Sequence, residues 1–160
     1  MIRFILLVIP FSLLAETAIP IFIEHATTIE ARRKGLMHRS HLDPNHGMLL
    51  HYPESGYHRI WMYNCLIPLS VAFIDENGAI LEIHELKAHP ELVNNTQNLN
   101  HLDYNDPTVK LFLSESVKPN EPVKYSLEMN GGWFQNHGVS QGDRVKWCLP
   151  AAEAKVLLRK

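Results

Sequence analysis

Short apolar runs bounded by turn-forming residues recur along this sequence, and they limit what the chain can fold into. An almost wholly apolar run at 69–74 is joined to an alternating run at 79–84 through Asn77-Gly78, the dipeptide most typical of a tight β-hairpin. Further runs of the same kind occupy residues 20–25, 47–52, 57–65, 123–129 and 144–148. Because no regular strand–helix–strand alternation links them, they predict a mainly β chain, a compact antiparallel β-sandwich or barrel with one or two short helices.

The first predicted helix covers residues 29–34. Thr27 and Glu30 have the spacing of an N-terminal capping box, and the basic residues of the segment fall in its last turn. Gly35 follows directly and predicts the end of the helix.

The second predicted helix holds Trp133 and Phe134, with Asn130 as its N-cap. Between the strands, residues 86–117 are polar and rich in asparagine, which predicts a surface excursion. Residues 151–160 have a helical composition and are expected to form a fraying C-terminal tail.

Residues 1–15 have the pattern of a secretory signal: Arg3, an apolar stretch at 4–14, and then Ala15. The stretch is shorter than the roughly 20 residues that span a membrane. Ala15 suits cleavage but Leu13 does not, so the segment is either a cleaved signal peptide or an uncleaved anchor. We therefore expect an exported protein, periplasmic or extracellular, with a single domain at 20–150 and no membrane contact beyond that segment.

Charge and cysteine content exclude several classes of protein. A net charge of −2 provides no basic surface for a polyanion, so nucleic acid is not an expected partner. Cys65 and Cys148 would meet an oxidising compartment, where they form either a disulfide or two buried free thiols. Two cysteines are too few for a thiolate zinc site, and the ten histidines lack helical ligand spacing, so no metal or other cofactor is predicted.

A series of short motifs runs in a distinctive order from about Glu24 to Trp147. They are Thr28 with Glu30 and Arg32, GLMHR at 35–39, GMLL at 47–50, Tyr52-Pro53, WMYN at 61–64, IPL at 67–69, FID at 73–75 with Gly78, Leu127-Glu128, and Gly138-Val139 with Gly142-Asp143. In this order and at these spacings, the sequence resembles domain of unknown function 192, a family of exported bacterial and archaeal proteins without an established activity.

The resemblance implies a β-sandwich of jelly-roll type. It also marks two departures from the family pattern. Cys65 stands where the family usually has Thr after WMxN, and Ser70 stands where it usually has Asp after IPL. If these positions belong to a shared polar site, the site of this chain is altered.

Five residues within the shared motifs form a candidate ligand pocket: Arg39, Trp61, Asn64, Asp75 and Glu128. Arg39 offers a planar fork for a carboxylate or a sugar oxygen, Trp61 a stacking face, and Asn64 both a donor and an acceptor. The structural alternative is that Arg39 pairs with a strand acid such as Asp75 or Glu128, and that Asp75 accepts backbone N–H groups of its own turn.

The sequence thus predicts a non-catalytic ligand-binding or accessory domain of the cell envelope, whose partner is a small molecule, a carbohydrate or an envelope protein. The alternative is a hydrolytic enzyme with a His-bound metal or an acid pair drawn from Asp75, Glu82, Glu85 and Glu128. A shallow aromatic groove near Trp61 favours binding, whereas a deep pocket in which the polar candidates converge favours catalysis.

Overall fold

The computed structural model describes residues 17–93 and 101–159, so the signal segment lies outside the described residues. The elements are β1 (Ala18–Ala26), α1 (Ile29–Lys34), β2 (His46–Gly56), β3 (Leu69–Ile74), β4 (Ile80–Leu86), a 3₁₀ turn (Pro90–Leu92), α2 (Pro107–Ser114), β5 (Val123–Asn130), α3 (Trp133–Asn136), β6 (Arg144–Trp147) and β7 (Glu153–Leu157). Within these described ranges, no helix is long and apolar enough to cross a membrane.

The seven strands form one sheet in the order β4-β3-β5-β2-β1-β7-β6. Neighbours are antiparallel except β1 and β2, which are parallel and connected through α1. The sheet curls until its edges meet at one end, where Ile80 N donates to Asp143 O at 2.8 Å and Val145 N donates to Gly78 O at 2.8 Å. The mainly β class with short helices is confirmed, in the form of one curled mixed sheet. The finer jelly-roll arrangement is not confirmed by this strand order.

Each face of the curled sheet carries its own apolar cluster, because side chains alternate between the two faces along every strand. Leu49 and Leu127 belong to one cluster together with Phe134 of α3. Leu50 and Val71 belong to the other, which α2 and the segment after β2 cover. The candidate site lies in the cluster that contains Leu50 and Val71.

Both predicted helices form, but their caps differ from the prediction. Residues 29–34 are helical and Gly35 ends the helix, while the N-cap is Thr28, whose Oγ1 accepts a hydrogen bond from Ala31 N at 3.1 Å, and not Thr27. The second helix starts after Gly132, whereas Asn130 still pairs within β5. In each case the cap is displaced by one or two residues, because the strand or turn before the helix continues further than the local sequence indicates.

The predicted strands at 20–25, 69–74, 79–84, 123–129 and 144–148 are present with small changes of boundary, and the Asn77-Gly78 hairpin is confirmed. The strand predicted at 57–65 is wrong: that segment makes a single bridge, between Ile60 and Val117, and Asn64 has a left-handed backbone. The predicted end of the strand at residue 52 is also wrong, because β2 continues through Pro53 to Gly56 across a register irregularity that tolerates the missing N–H of proline.

Two further predictions fail because distant parts of the chain decide the outcome. The stretch 86–117 contains α2, which buries Val109 and Phe112 in the core, so it is more than a surface excursion. The tail contains β7, which lies between β1 and β6 and buries Val156. Strand pairing on both sides overrides the helical composition of this segment.

Candidate functional site

A cleft of about 230 Å³ opens on the face of the sheet that α1 covers. One wall is α1 with the residues that follow it, the opposite wall is the segment after β2, and the sheet forms the floor. The lining side chains are Ile29 and residues 32–37, Leu50, Tyr52, Arg59, Ile60, Trp61, Cys65 and Glu128. Of the five candidate residues, the cleft thus brings together Trp61 and Glu128.

Strand register places Glu128 on the floor of this cleft. Glu128 of β5 pairs with Met48 of β2 on one side and with Val71 of β3 on the other. Met48 in turn pairs with Glu24 of β1. Directly paired residues share one face of a sheet, so these four side chains lie in a row on the α1 side. Glu128 is 5% exposed, which is unusual for an acidic residue.

The Glu128 carboxyl is incompletely satisfied. Its Oε2 is buried and has no hydrogen-bond partner among the described residues. Burial raises the pKa of Glu128 to about 7, and the nearby Arg39 charge offsets part of that rise. Gly35 lies above this group with a positive φ of 47°, and a Cβ at that position would be 3.6 Å from Oε2. The absence of a side chain at Gly35 therefore leaves room beside the carboxyl.

Arg39 does not line the cleft, although its charge reaches Glu128. Its guanidinium makes a bidentate ion pair with Glu24, in which Nη2 donates to Oε2 at 2.7 Å and Nη1 donates to Oε1. The hydrogen bonds from Arg39 hold the pKa of Glu24 below its usual range. The expected structural pairing of Arg39 with a strand acid is correct in kind, but the acid is Glu24.

Asn64 and Asp75 have structural positions outside the cleft. Asn64 is buried, and its backbone oxygen accepts a hydrogen bond from His38 N at 2.8 Å, which ties the segment after β2 to the residues after α1. Asp75 Oδ1 accepts hydrogen bonds from Asn77 N at 2.8 Å and from Ala79 N at 2.7 Å in the β3–β4 turn. The structural interpretation of Asp75 agrees with these contacts.

The basic rim of the cleft was not predicted from the sequence. It consists of Arg32, Arg33 and Lys34 from the last turn of α1 and Arg59 from the opposite wall. Three consecutive basic residues at 32–34 are a visible signal in the sequence, but their place in the last turn of a helix is also explained by the helix dipole. Arg59 could not be found in this way, because only the fold brings residues 59 and 32–34 to one opening.

Comparison with known proteins identifies the family. The model of domain of unknown function 192, described as Uncharacterized ACR, matches residues 13–147. The chain belongs to this family. No curated protein matches the chain.

Two solved structures are similar to this member of domain of unknown function 192. One is a candidate transcription regulator from Sinorhizobium meliloti 1021, with 28% identity, a TM-score of 0.59, and coverage of 81% of this chain and 92% of that chain. The other is a protein of unknown function from Novosphingobium aromaticivorans DSM 12444, with 26% identity, a TM-score of 0.59, and coverage of 78% and 74%.

The two departures from the pattern of domain of unknown function 192 have different consequences. Cys65 lines the cleft, and burial raises the pKa of its thiol to about 12. Ser70 lies outside the cleft, where its hydroxyl donates to Glu85 Oε1 at 2.6 Å and accepts from Gly132 N at 2.7 Å. Cys148 is exposed, and both cysteines are free thiols in this structure. Of these two positions, Cys65 is the one that lies at the candidate site.

The acids considered for a catalytic pair lie apart in this member of domain of unknown function 192. Asp75 accepts hydrogen bonds from backbone N–H groups of the β3–β4 turn, and Glu82 accepts them from Asn120. Glu85 accepts hydrogen bonds from Ser70 and Gly132. Of these four acids, Glu128 is the one that lines the cleft. In residues 17–93 and 101–159, no group of three His, Cys, Asp or Glu side chains could hold a metal ion.

Proposed function

We propose that this protein is an exported, non-catalytic binding domain of the cell envelope, and that its cleft takes a small organic ligand. The observation that carries the proposal is the Glu128 carboxyl, which lines the cleft while its Oε2 lacks a hydrogen-bond partner in the described part of the chain. An unsatisfied buried polar atom costs about 1–3 kcal/mol. A ligand that forms the missing hydrogen bond would recover that cost. The signal pattern of residues 1–15 supports export.

The ionisation of the lining residues favours binding over catalysis. Hydrolysis by a covalent route needs an activated nucleophile, and burial keeps the Cys65 thiol protonated by raising its pKa to about 12. Burial also raises the pKa of the Tyr52 hydroxyl, which makes a hydrogen bond with Ser126 Oγ at 3.1 Å. Neither the Cys65 thiol nor the Tyr52 hydroxyl is therefore activated as a partner for Glu128.

The size and lining of the cleft favour a small molecule over a carbohydrate chain or a protein segment. Its volume of about 230 Å³ is below the roughly 300–1,000 Å³ of sites that hold drug-sized ligands. Trp61 is half-buried and stacks on Tyr63 with ring centroids 5.0 Å apart, so its indole is a fixed wall. Leu50 and Ile60 add apolar surface beside it. These contacts suit a ligand with a flat or compact apolar body.

The experiment that tests this function uses the small-molecule extract of cells that produce the protein. The purified protein is equilibrated with the extract, and the molecules that it enriches are identified by mass spectrometry after ultrafiltration. Trp61→Ala should reduce the enrichment about tenfold or more, the loss of roughly 1.4 kcal/mol of binding free energy. Tyr125→Ala is the control, because Tyr125 is also a half-buried aromatic residue and does not line the cleft. Equal enrichment by both variants, or no enrichment by the unaltered protein, would overturn the proposal.

A further inference from the structure

The charges around the cleft indicate which chemical class of ligand it takes, an inference that rests on the proposed binding function. Arg32 Nη1 donates to the carbonyl oxygens of Thr27 at 2.7 Å and His51 at 2.8 Å, and Arg59 Nη1 donates to Ser116 Oγ at 2.5 Å. All three acceptors are neutral. These hydrogen bonds therefore fix the two guanidinium groups at the cleft without neutralising their charge.

Arg33 and Lys34 line the same opening, so four basic residues stand at the rim and a single acid, Glu128, stands at the floor. A cleft lined mainly by one sign of charge concentrates ligands of the opposite sign. The rim consequently favours an anion and disfavours a cation.

The immediate surroundings of Glu128 are poor in groups that would stabilise its charged form. The groups that interact electrostatically with Glu128 are Tyr52 from β2, Cys65 from the segment after β2, and Arg39 from the loop after α1. The basic residues of α1 and Arg59 stand at the rim of the same cleft. The Tyr52 hydroxyl is shared with Ser126, and the Arg39 guanidinium is held by Glu24. From β3, Val71 presents an apolar side chain. A carboxyl in such surroundings keeps its proton below about pH 7 and can then donate an O–H hydrogen bond.

We propose that the cleft binds a small organic anion with an apolar body, whose anionic oxygen accepts a hydrogen bond from protonated Glu128 while Arg32 and Arg59 attract its charge. When the anion meets the ionised form of the protein, Glu128 takes up one proton from solvent, and dissociation releases it. A neutral hydrogen-bond donor could satisfy an ionised Glu128, but it would not pair with the charges of Arg32 and Arg59, whose hydrogen bonds go to neutral acceptors.

Three probes of one shape and different charge test this assignment: benzoate, benzamide and benzamidinium. Binding to the isotopically labelled protein is followed at the Trp61 indole N–H signal. At about pH 6, benzoate should bind at least about tenfold more tightly than either other probe. Its affinity should then fall roughly 100-fold by about pH 9, as linkage requires for one proton on an acid that titrates near neutrality. Phenylphosphonate, measured alongside, distinguishes a carboxylate from a phosphate-type ligand.

Two variants assign the proton to Glu128. In Glu128→Gln, the side-chain amide donates a hydrogen bond at every pH, so benzoate affinity should change less than about threefold between the same two pH values. Glu30→Gln is the matched control, because Glu30 is exposed in the first turn of α1 and does not line the cleft. That variant should keep the full pH dependence of the unaltered protein.

The outcomes separate this inference from the function on which it rests. If benzamide or benzamidinium binds most tightly, the ligand class is wrong while the cleft remains a binding site. If benzoate affinity is independent of pH, or if Glu128→Gln keeps the pH dependence, the role of Glu128 as proton donor is wrong. If no probe shifts the Trp61 signal at about 10 mM, above the millimolar dissociation constants of weak small ligands, the inference is overturned, and the enrichment experiment decides the binding function separately.

Discussion

Arg39 binds Glu24 through both terminal guanidinium nitrogens, with Nη2 2.7 Å from Oε2. Glu24 lies in the same cross-strand row as Glu128, separated from it by Met48. Arg39 thus stabilises the exposed Glu24 carboxylate by direct contact, but it acts on the buried Glu128 only through its electric field. That field lowers the pKa of Glu128 by less than burial raises it. The two carboxyls of one row therefore have opposite pKa shifts.

This relationship predicts the effect of removing the arginine charge. Arg39→Gln should raise the pKa of Glu128 above about 7, and it should let the pKa of Glu24 return towards 4.5. Titration of the carboxyl carbon signals by ¹³C NMR measures both groups in one experiment. Arg144→Gln is the control, since Arg144 donates to the carbonyl oxygen of Asn77 at 3.1 Å in the distant hairpin. A fall in the pKa of Glu128 in Arg39→Gln would contradict the geometry described here.

Burial of Glu128 also predicts how stability depends on pH. Its pKa rises from 4.5 to about 7 on folding, so the folded state binds the proton more tightly, and the free energy of unfolding falls as pH rises through this window. The rise corresponds to about 3 kcal/mol at roughly 1.36 kcal/mol for each pKa unit. The Glu128→Gln variant lacks this titration. Between about pH 4 and pH 8, its free energy of unfolding in urea should therefore rise by about 3 kcal/mol relative to that of the unaltered protein.

Glu82→Gln is a control for this measurement, because the pKa of Glu82 is shifted in the opposite direction to that of Glu128. Burial would raise the pKa of Glu82, but hydrogen bonds from the Asn120 backbone and from His84 lower it overall. A depressed folded-state pKa stabilises the protein above the unfolded value and is lost as pH falls. Glu82→Gln should therefore lose stability, relative to the unaltered protein, as pH rises. Parallel pH profiles for the two variants would disprove the electrostatic account of both carboxyls.

Local sequence predicted the strands whose register is set by nearby turns, and it failed where distant pairing decides the structure. The β3–β4 hairpin needs only the short turn at Asn77-Gly78, so its signal is local. By contrast, β7 exists because β1 and β6 offer free edges on both sides. Residues 57–65 alternate as a strand does, yet they form a wall of the cleft.

The candidate site follows the same division. Trp61 and Glu128 are predicted as pocket residues and both line the cleft: Glu128 lies in β5 on its floor, and Trp61 lies in the segment after β2 that forms a wall. The partner of Arg39 was not predictable, because its contact with Glu24 depends on the parallel pairing of β1 and β2. Arg59 reaches the rim only through the path of the chain after β2.

The position of β7 predicts that the C-terminal segment contributes to global stability. Val156 is fully buried between β1 and β6, so Val156→Ala should cost about 2 kcal/mol through lost burial and the cavity left behind. Lys155→Ala, one residue earlier and exposed, should change the free energy of unfolding by less than about 0.5 kcal/mol. Thermal or urea unfolding measures both. Equal small effects would show that the segment frays and does not pair.

Gly47 determines how closely β2 approaches β5 beside Glu128. A Cβ at this position would lie 2.5 Å from the backbone oxygen of Glu128 and would also overlap the Met129 side chain. Backbone cannot yield as a flexible side chain does, so Gly47→Ala should cost about 1–3 kcal/mol or more. Gly56, at the other end of the same strand, is the matched control, because the nearest atom to its added Cβ is His58 Nε2 at 3.2 Å.

A displacement of the His58 ring by a few tenths of an ångström relieves this contact, and Gly56→Ala should therefore cost less than about 1 kcal/mol. Urea unfolding measures the two free energies, and amide spectra locate the structural change. In Gly47→Ala the amide signals of β5 around Glu128 should shift, because the two strands are forced apart there. If Gly47→Ala is as stable as Gly56→Ala with unshifted β5 signals, the close pairing that fixes Glu128 beneath the cleft is incorrect.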